Sequence, residues 1–296
     1  MRGQWRYFVN NALAGSMLMH TPSCLAAAPA SPSAPTSATR HAEIALAAAV
    51  LLLTLLAALL PAIPLPAGYH NFADQRTWLG LPHAMDVLTN LPFTAMAVWG
   101  LVRLRRLPAG CVSAAQRALT GVFCGGLMLT TLCSSFYHWA PDNAGLCIDR
   151  LGMSLAFAGL LGLAAADRIS DRAGLALSVF VAIAAPAYAL IADWAGNMTP
   201  WAVLQGAGLA LLTALALRRP RDGALAFSIS ALIALYLLAK LLELADHPVF
   251  ALTQGWISGH SAKHVAAALA AWPVVRALHA YGPPAVGAAF VMHRKQ

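Results

Sequence analysis

The sequence predicts an all-α polytopic membrane protein, and three observations carry that prediction. Hydrophobic residues make up 59% of the 296-residue chain and charged residues only 10%, with a mean hydropathy of +0.66, which suits a chain solvated mostly by lipid. The apolar residues gather into segments close to the ~20 residues that a helix needs to cross a bilayer. The basic residues, which set a formal net charge of +8, sit in short loops between those segments. In a soluble chain such a charge would suggest a nucleic-acid partner. Confined to short loops, it reports membrane orientation instead, and no nucleic acid is expected.

Taken in order, residues 1–42 read as a disordered or weakly structured tail. Arg2 and Arg6 precede a weakly apolar run broken by Asn10, Asn11, Gly15 and Ser16, which argues against a cleaved signal peptide. A Pro/Ala/Ser stretch from Pro29 to Pro35 follows as a linker. The first spanning segment covers 43–62 and ends at Pro61, Pro64 and Pro66. A polar loop from Tyr69 to Arg76 leads to the second, about 83–104, with Asp86 and Asn90 in its first turns. The third, about 117–138, carries Ser134 and His138 at its far end; Pro141, Asn143 and Gly145 then make a turn. The fourth, about 147–166, opens with Asp149, and the fifth and sixth cover about 172–191 and 201–217. The seventh, about 223–245, contains Lys240 and Glu243, and the eighth, about 259–279, opens with His260 and His264. Residues 281–296 form a terminal tail. The five cysteines are scattered without a CxxC and read as small apolar residues.

The arginines set the orientation. Arg103, Arg105, Arg106, Arg117, Arg168, Arg172, Arg218, Arg219 and Arg221 all fall at the loops after the second, fourth and sixth segments. Loops after the third, fifth and seventh carry no Lys or Arg. Positive residues stay inside, so both termini are expected in the cytoplasm, and His138, Asp149, His260 and His264 share the opposite face with the polar loop at 69–82. The site residues played no part in that assignment.

That convergence gives the polar residues their meaning. His260 and His264 are i and i+4 and project from one helix face, and His138 can supply a third imidazole from another helix. Three histidines plus an open position is the usual form of a catalytic zinc site. Ten histidines in this chain would give roughly 0.3 HxxxH pairs by chance, so the motif alone is weak; the third histidine on the same side strengthens it. Ser134 lies one turn deeper than His138 on the same face, where it can also bond its own helix backbone. Asp149 opens its helix, where a carboxylate also complements the dipole. Lys240 and Glu243, three apart, are expected to pair inside the bundle. Asp86 and Asn90 either tie the second segment to its neighbours or line a cavity. Asp193 and Asp246 sit at helix ends, where solvation is the default, and the Gly125-Gly126 pair suits close helix packing.

The order Ser134-xxx-His138, then Asp149, then His260-xxx-His264 on the last helix resembles the CREST superfamily of seven-helix membrane hydrolases, which includes the alkaline ceramidases and the adiponectin-receptor group. The stretches His70-Asn71-Phe72-Ala73-Asp74-Gln75-Arg76 and Asp86-Val87-Leu88-Thr89-Asn90-Leu91-Pro92-Phe93 look closest to bacterial members of the alkaline ceramidase branch. The resemblance covers about 69–280, which implies a seven-helix catalytic bundle with the 43–62 helix as an extra N-terminal one. It further implies zinc on His138, His260 and His264, Asp149 taking the proton of the attacking water, and Ser134 helping to stabilise the oxyanion. Eukaryotic alkaline ceramidases bind calcium through a clustered acidic segment. Here that region offers Asp74 without a cluster, and His83 where an acidic residue would stand, so calcium is doubtful. The expected protein is a zinc-dependent amidase in a bacterial inner membrane, hydrolysing a lipid amide such as ceramide. A receptor or sensor with a structural zinc is the alternative from another class, and a transporter is the third; the sequence shows no inverted repeat that would favour transport.

Overall fold

A computed structural model of the chain describes residues 36–280, and every element in that range is helical. The helices are α1 (Ser37–Leu59), α2 (Ala84–Leu88), α3 (Leu91–Arg106), α4 (Ala114–Trp139), α5 (Asn143–Arg168), α6 (Asp171–Trp194), α7 (Thr199–Ala216), α8 (Ile229–Leu244), α9 (Asp246–Leu252), α10 (Gly259–Leu269) and α11 (Trp272–Ala280). Local chemistry explains where they begin. Ser113, Asp142, Ser170, Ser228 and Ser258 each accept a backbone N–H of the first turn that follows, satisfying donors a helix start leaves orphaned. Thr36 does the same for α1 through Thr39 N–H. This cap starts α1 at Ser37, within the stretch expected as tail; the rest of that tail and the one at 281–296 lie outside the described residues.

Among the described residues, six spans are long and apolar enough to cross a membrane: Ser37–Leu59, Ala84–Arg106, Ala114–Trp139, Asn143–Arg168, Asp171–Trp194 and Thr199–Ala216. The other two of the eight expected segments do not fold as single long helices. The seventh gives α8, which is 16 residues long, because the chain before it runs non-helically, with Ala226 at φ 56. The eighth divides into α10 and α11. Pro273 has no N–H to return to the carbonyl four residues back, so the helix stops at Leu269 and restarts at Trp272. Pro92 breaks the second segment in the same way, leaving Thr89 and Asn90 between α2 and α3.

From α3 to α8 each long helix contacts the next, α8 contacts α10, and α10 returns to α3, which closes a ring. Helix α1 packs outside that ring against α7, with Leu51, Leu52, Leu55 and Leu59 exposed. Leu132, Phe136, Val179, Ile183 and Leu241 are exposed on ring helices, as a lipid-facing surface requires. Among the cysteines, Cys124, Cys133 and Cys147 are free, whereas Cys111 is disulfide-bonded, which corrects the apolar reading of all five.

The ring is tightest where α5 meets α4 and α6. A Cβ on Gly126 would fall onto the backbone nitrogen of Ala156, and one on Gly159 onto that of Phe123. Of the glycine pair singled out from sequence, Gly126 makes the close approach, while Gly125 has nothing within 4 Å of a built Cβ. Gly159→Val is therefore expected to destabilise the protein by about 1–3 kcal/mol or more through overpacking, and Gly125→Val by far less. Thermal unfolding of both variants in one detergent checks this; equal losses would remove the account of the α4–α5 contact.

Candidate metal centre

His138 ends α4, and His260 and His264 lie in the first turns of α10. The ring brings those two helix ends together, so that the three histidines form a buried group whose ligand atoms all lie within 4.8 Å of one another. Their ring centroids are 4.8, 5.0 and 4.9 Å apart. The Nε2 atoms of His138 and His260 stand 3.2 Å apart. Two nitrogens each ~2.05 Å from a tetrahedral zinc would be separated by about 3.3 Å, so this edge has the length such an ion needs. The group could bind a metal ion, and among the described residues no fourth His, Cys, Asp or Glu joins it.

The outer hydrogen bonds orient the rings. Thr89 Oγ1 donates to the Met85 carbonyl at 2.7 Å, so it accepts from His264 Nδ1–H at 3.1 Å. That contact puts the proton on Nδ1 and leaves Nε2 with its lone pair free. The Pro92 break is what frees Thr89 for this role. The His260 backbone N–H donates to Asp246 Oδ1 at 2.8 Å, and Ala73 N–H to Asp246 Oδ2 at 2.9 Å. Asp246, expected to be solvated, is instead buried and fastens the 69–82 loop to the start of α10. Phe72, carried by that loop, covers two of the rings, with centroids 4.8 Å from His138 and 4.3 Å from His260.

Asp86 is fully buried and accepts from Ser261 Oγ at 2.6 Å, tying α2 to α10 rather than lining a cavity; Asn90 donates its Nδ2 to the Asp86 carbonyl at 2.9 Å. Gly259 has no room for a Cβ, which would fall onto the Leu242 carbonyl, so α10 starts hard against α8. On the loop, Asp74 accepts from Arg76 N–H, Nε and Nη2. Burial would push the Asp74 carboxyl up, but these hydrogen bonds win and hold it below the usual carboxylate value. The one carboxylate in the loop considered for calcium is thus engaged by an arginine.

Ser134 is buried and lies beside the Asp149 carboxyl of the facing helix. Asp149 Oδ1 is buried without a hydrogen-bond partner. Asp149 and His260 line one cavity of about 640 Å3. Lys240 pairs with Glu243 at 2.6 Å, as its spacing suggested, but Glu243 also holds Lys263 at 2.6 Å, and all three line that cavity. The structure thus brings the three histidines together, sets Ser134 against Asp149, and joins Asp149 to His260 through the cavity. Reading the sequence missed Thr89, Asp246 and Phe72; none carries a local signal, since each acts on a ligand more than 10 positions away. No family model, curated protein or solved structure matches the chain.

Proposed function

We propose that this protein is a zinc-dependent integral-membrane amidase of the CREST type, hydrolysing a lipid amide such as ceramide to a sphingoid base and a fatty acid. The observation that carries the reading is the buried three-histidine group, with no fourth ligand among the described residues, opening beside a carboxylate onto a cavity. A three-ligand set favours catalysis over a structural metal, which takes four. When bound, zinc supplies Lewis acidity and lowers the pKa of a coordinated water from 15.7 to about 7. Asp149 has a carboxylate oxygen with no other partner, so it is the group to accept the attacking water's proton and pass it to the leaving amine. The Ser134 hydroxyl, beside Asp149, is the side-chain donor to stabilise the oxyanion that develops on the amide carbonyl. Phe72 covers the ligand rings and keeps bulk water from them.

Incubation of purified protein with ceramides, followed by lipid mass spectrometry, tests this directly. Fatty acid should appear, vanish with a chelator and return with zinc; no release from any lipid amide would sink the reading. Ser134→Ala should lower turnover on the order of 10²–10³, the scale of one oxyanion donor, with zinc content unchanged. A loss of zinc instead would make Ser134 structural.

We further propose seven spanning units in the ring and α1 as an extra one, both termini cytoplasmic, and the site facing the outside of a bacterial inner membrane. Reporter fusions after Gly110 and after Asn143 should read inside and outside respectively. The reverse pattern would overturn the orientation.

A further inference from the structure

Arg150 lines the cavity beside the metal group and is only 4% exposed. Its Nη1 donates to the Met198 sulfur at 3.2 Å, a weak acceptor. The guanidinium lies over the Trp201 ring, 5.5 Å from its centroid, and Nη2 has no hydrogen-bond partner. No ion pair among the described residues includes it. Two of the neighbouring carboxylates are committed elsewhere. Glu243 gives one oxygen each to Lys240 and Lys263. Asp246 gives its two oxygens to backbone N–H groups. Asp149 precedes Arg150 directly and shares its cavity; the guanidinium acts on its carboxylate through space, but the two form no ion pair.

A guanidinium this deep without an ion pair is costly, and ionisable groups at such depth mark function. Its planar fork of donors matches a carboxylate or a phosphate. The cavity wall sets three cationic side chains, Arg150, Lys240 and Lys263, against three carboxylates, Asp149, Glu243 and Asp246, and of the three cations only Arg150 has no ion pair. Resting on the amidase reading, we infer that Arg150 reads an anionic oxygen group carried by the substrate close to its amide, so that the preferred substrate is an anionic lipid amide rather than neutral ceramide. The Trp201 ring holds the guanidinium plane in place for that contact.

The test uses the full chain in nanodiscs with three probes: N-oleoylglycine, which carries a carboxylate, ceramide 1-phosphate, which carries a phosphate, and neutral N-oleoylethanolamine. Dissociation constants are measured by tryptophan fluorescence on Asp149→Asn protein, alone and combined with Arg150→Gln or Arg150→Lys, and fatty-acid release is measured on the Asp149 protein. A charge-assisted contact predicts that at least one anionic probe binds on the order of 10–100-fold more tightly than the neutral one. Arg150→Gln should bring that ratio to within about threefold of unity, and Arg150→Lys should retain part of it. In turnover the preference should lie in KM more than in kcat. Preference for N-oleoylglycine alone identifies an N-acyl amino acid, and preference for ceramide 1-phosphate alone a phospholipid-like substrate. Equal affinity for neutral and anionic probes in the Arg150 protein overturns the inference, as does a preference that survives Arg150→Gln. If Arg150→Gln does not fold, the ratio in the Arg150 protein and its change in Arg150→Lys decide. If no probe is cleaved, the amidase reading falls, and the dissociation constants still judge Arg150.

Discussion

Asp149→Asn protein is expected to keep its zinc and to release fatty acid from ceramide about 10²–10⁴-fold more slowly than the parent, the range that a positioned general base contributes. Asparagine has the same shape, so packing against α4 is preserved. It cannot take a proton at neutral pH, and the amine would then leave unprotonated. The site gives that proton few alternatives. Glu243 is held by two lysines and Asp246 by two backbone N–H groups, while Asp149 Oδ1 is buried without a partner. The measurement is fatty-acid release beside metal analysis of the same sample. Undiminished release with zinc in place would leave the metal centre standing and remove the mechanism proposed for it.

His264→Ala is expected to have the second large effect, a loss of stoichiometric zinc measured by elemental analysis, with activity falling to background. Two imidazoles at a site that the rest of the ring keeps dry and rigid cannot close a tetrahedral set. Thr89→Val is the finer probe. It removes the acceptor for His264 Nδ1–H while leaving all three ligands, and an outer-shell loss of this kind typically costs 10–100-fold in metal affinity. The two variants should therefore rank, with His264→Ala losing zinc in the purified protein and Thr89→Val losing it only under competition from a chelator. Full zinc in His264→Ala would mean that the metal, if any, sits elsewhere.

The parts of the site that were legible in the sequence are those set by local spacing. HxxxH fixes two imidazoles on one helical face whatever surrounds them, and Ser134 and His138 share a face for the same reason. The common end of the bundle for His138, Asp149 and His260 followed from counting apolar segments, because each crossing reverses direction. Lys240 and Glu243 lie within one turn and had few other partners to find. Asp246 was misread because a carboxylate at a helix end is solvated by default, and nothing near it in the chain tells of the loop that comes to lie over it. The number of single long helices was also overestimated: hydropathy registers an apolar stretch, but not that Pro273 interrupts it or that residues before Ile229 leave the helical range.

Composition and segment length alone determined that this chain is helical and apolar enough to cross a membrane, since ~20-residue apolar stretches suit spanning helices, whose backbone bonds are all internal. They also narrowed which residues could carry chemistry, because His138, Asp149, His260 and His264 fall at one end of the bundle. Only the tertiary structure decided that the three imidazoles meet, that Thr89 fixes the protonation of one of them, that Phe72 covers two, and that Arg150 is left without an ion pair. Each of these depends on distances between side chains on different helices, and those distances follow from close backbone contacts such as Gly126 on Ala156 and Gly159 on Phe123, which no periodicity along a single chain encodes.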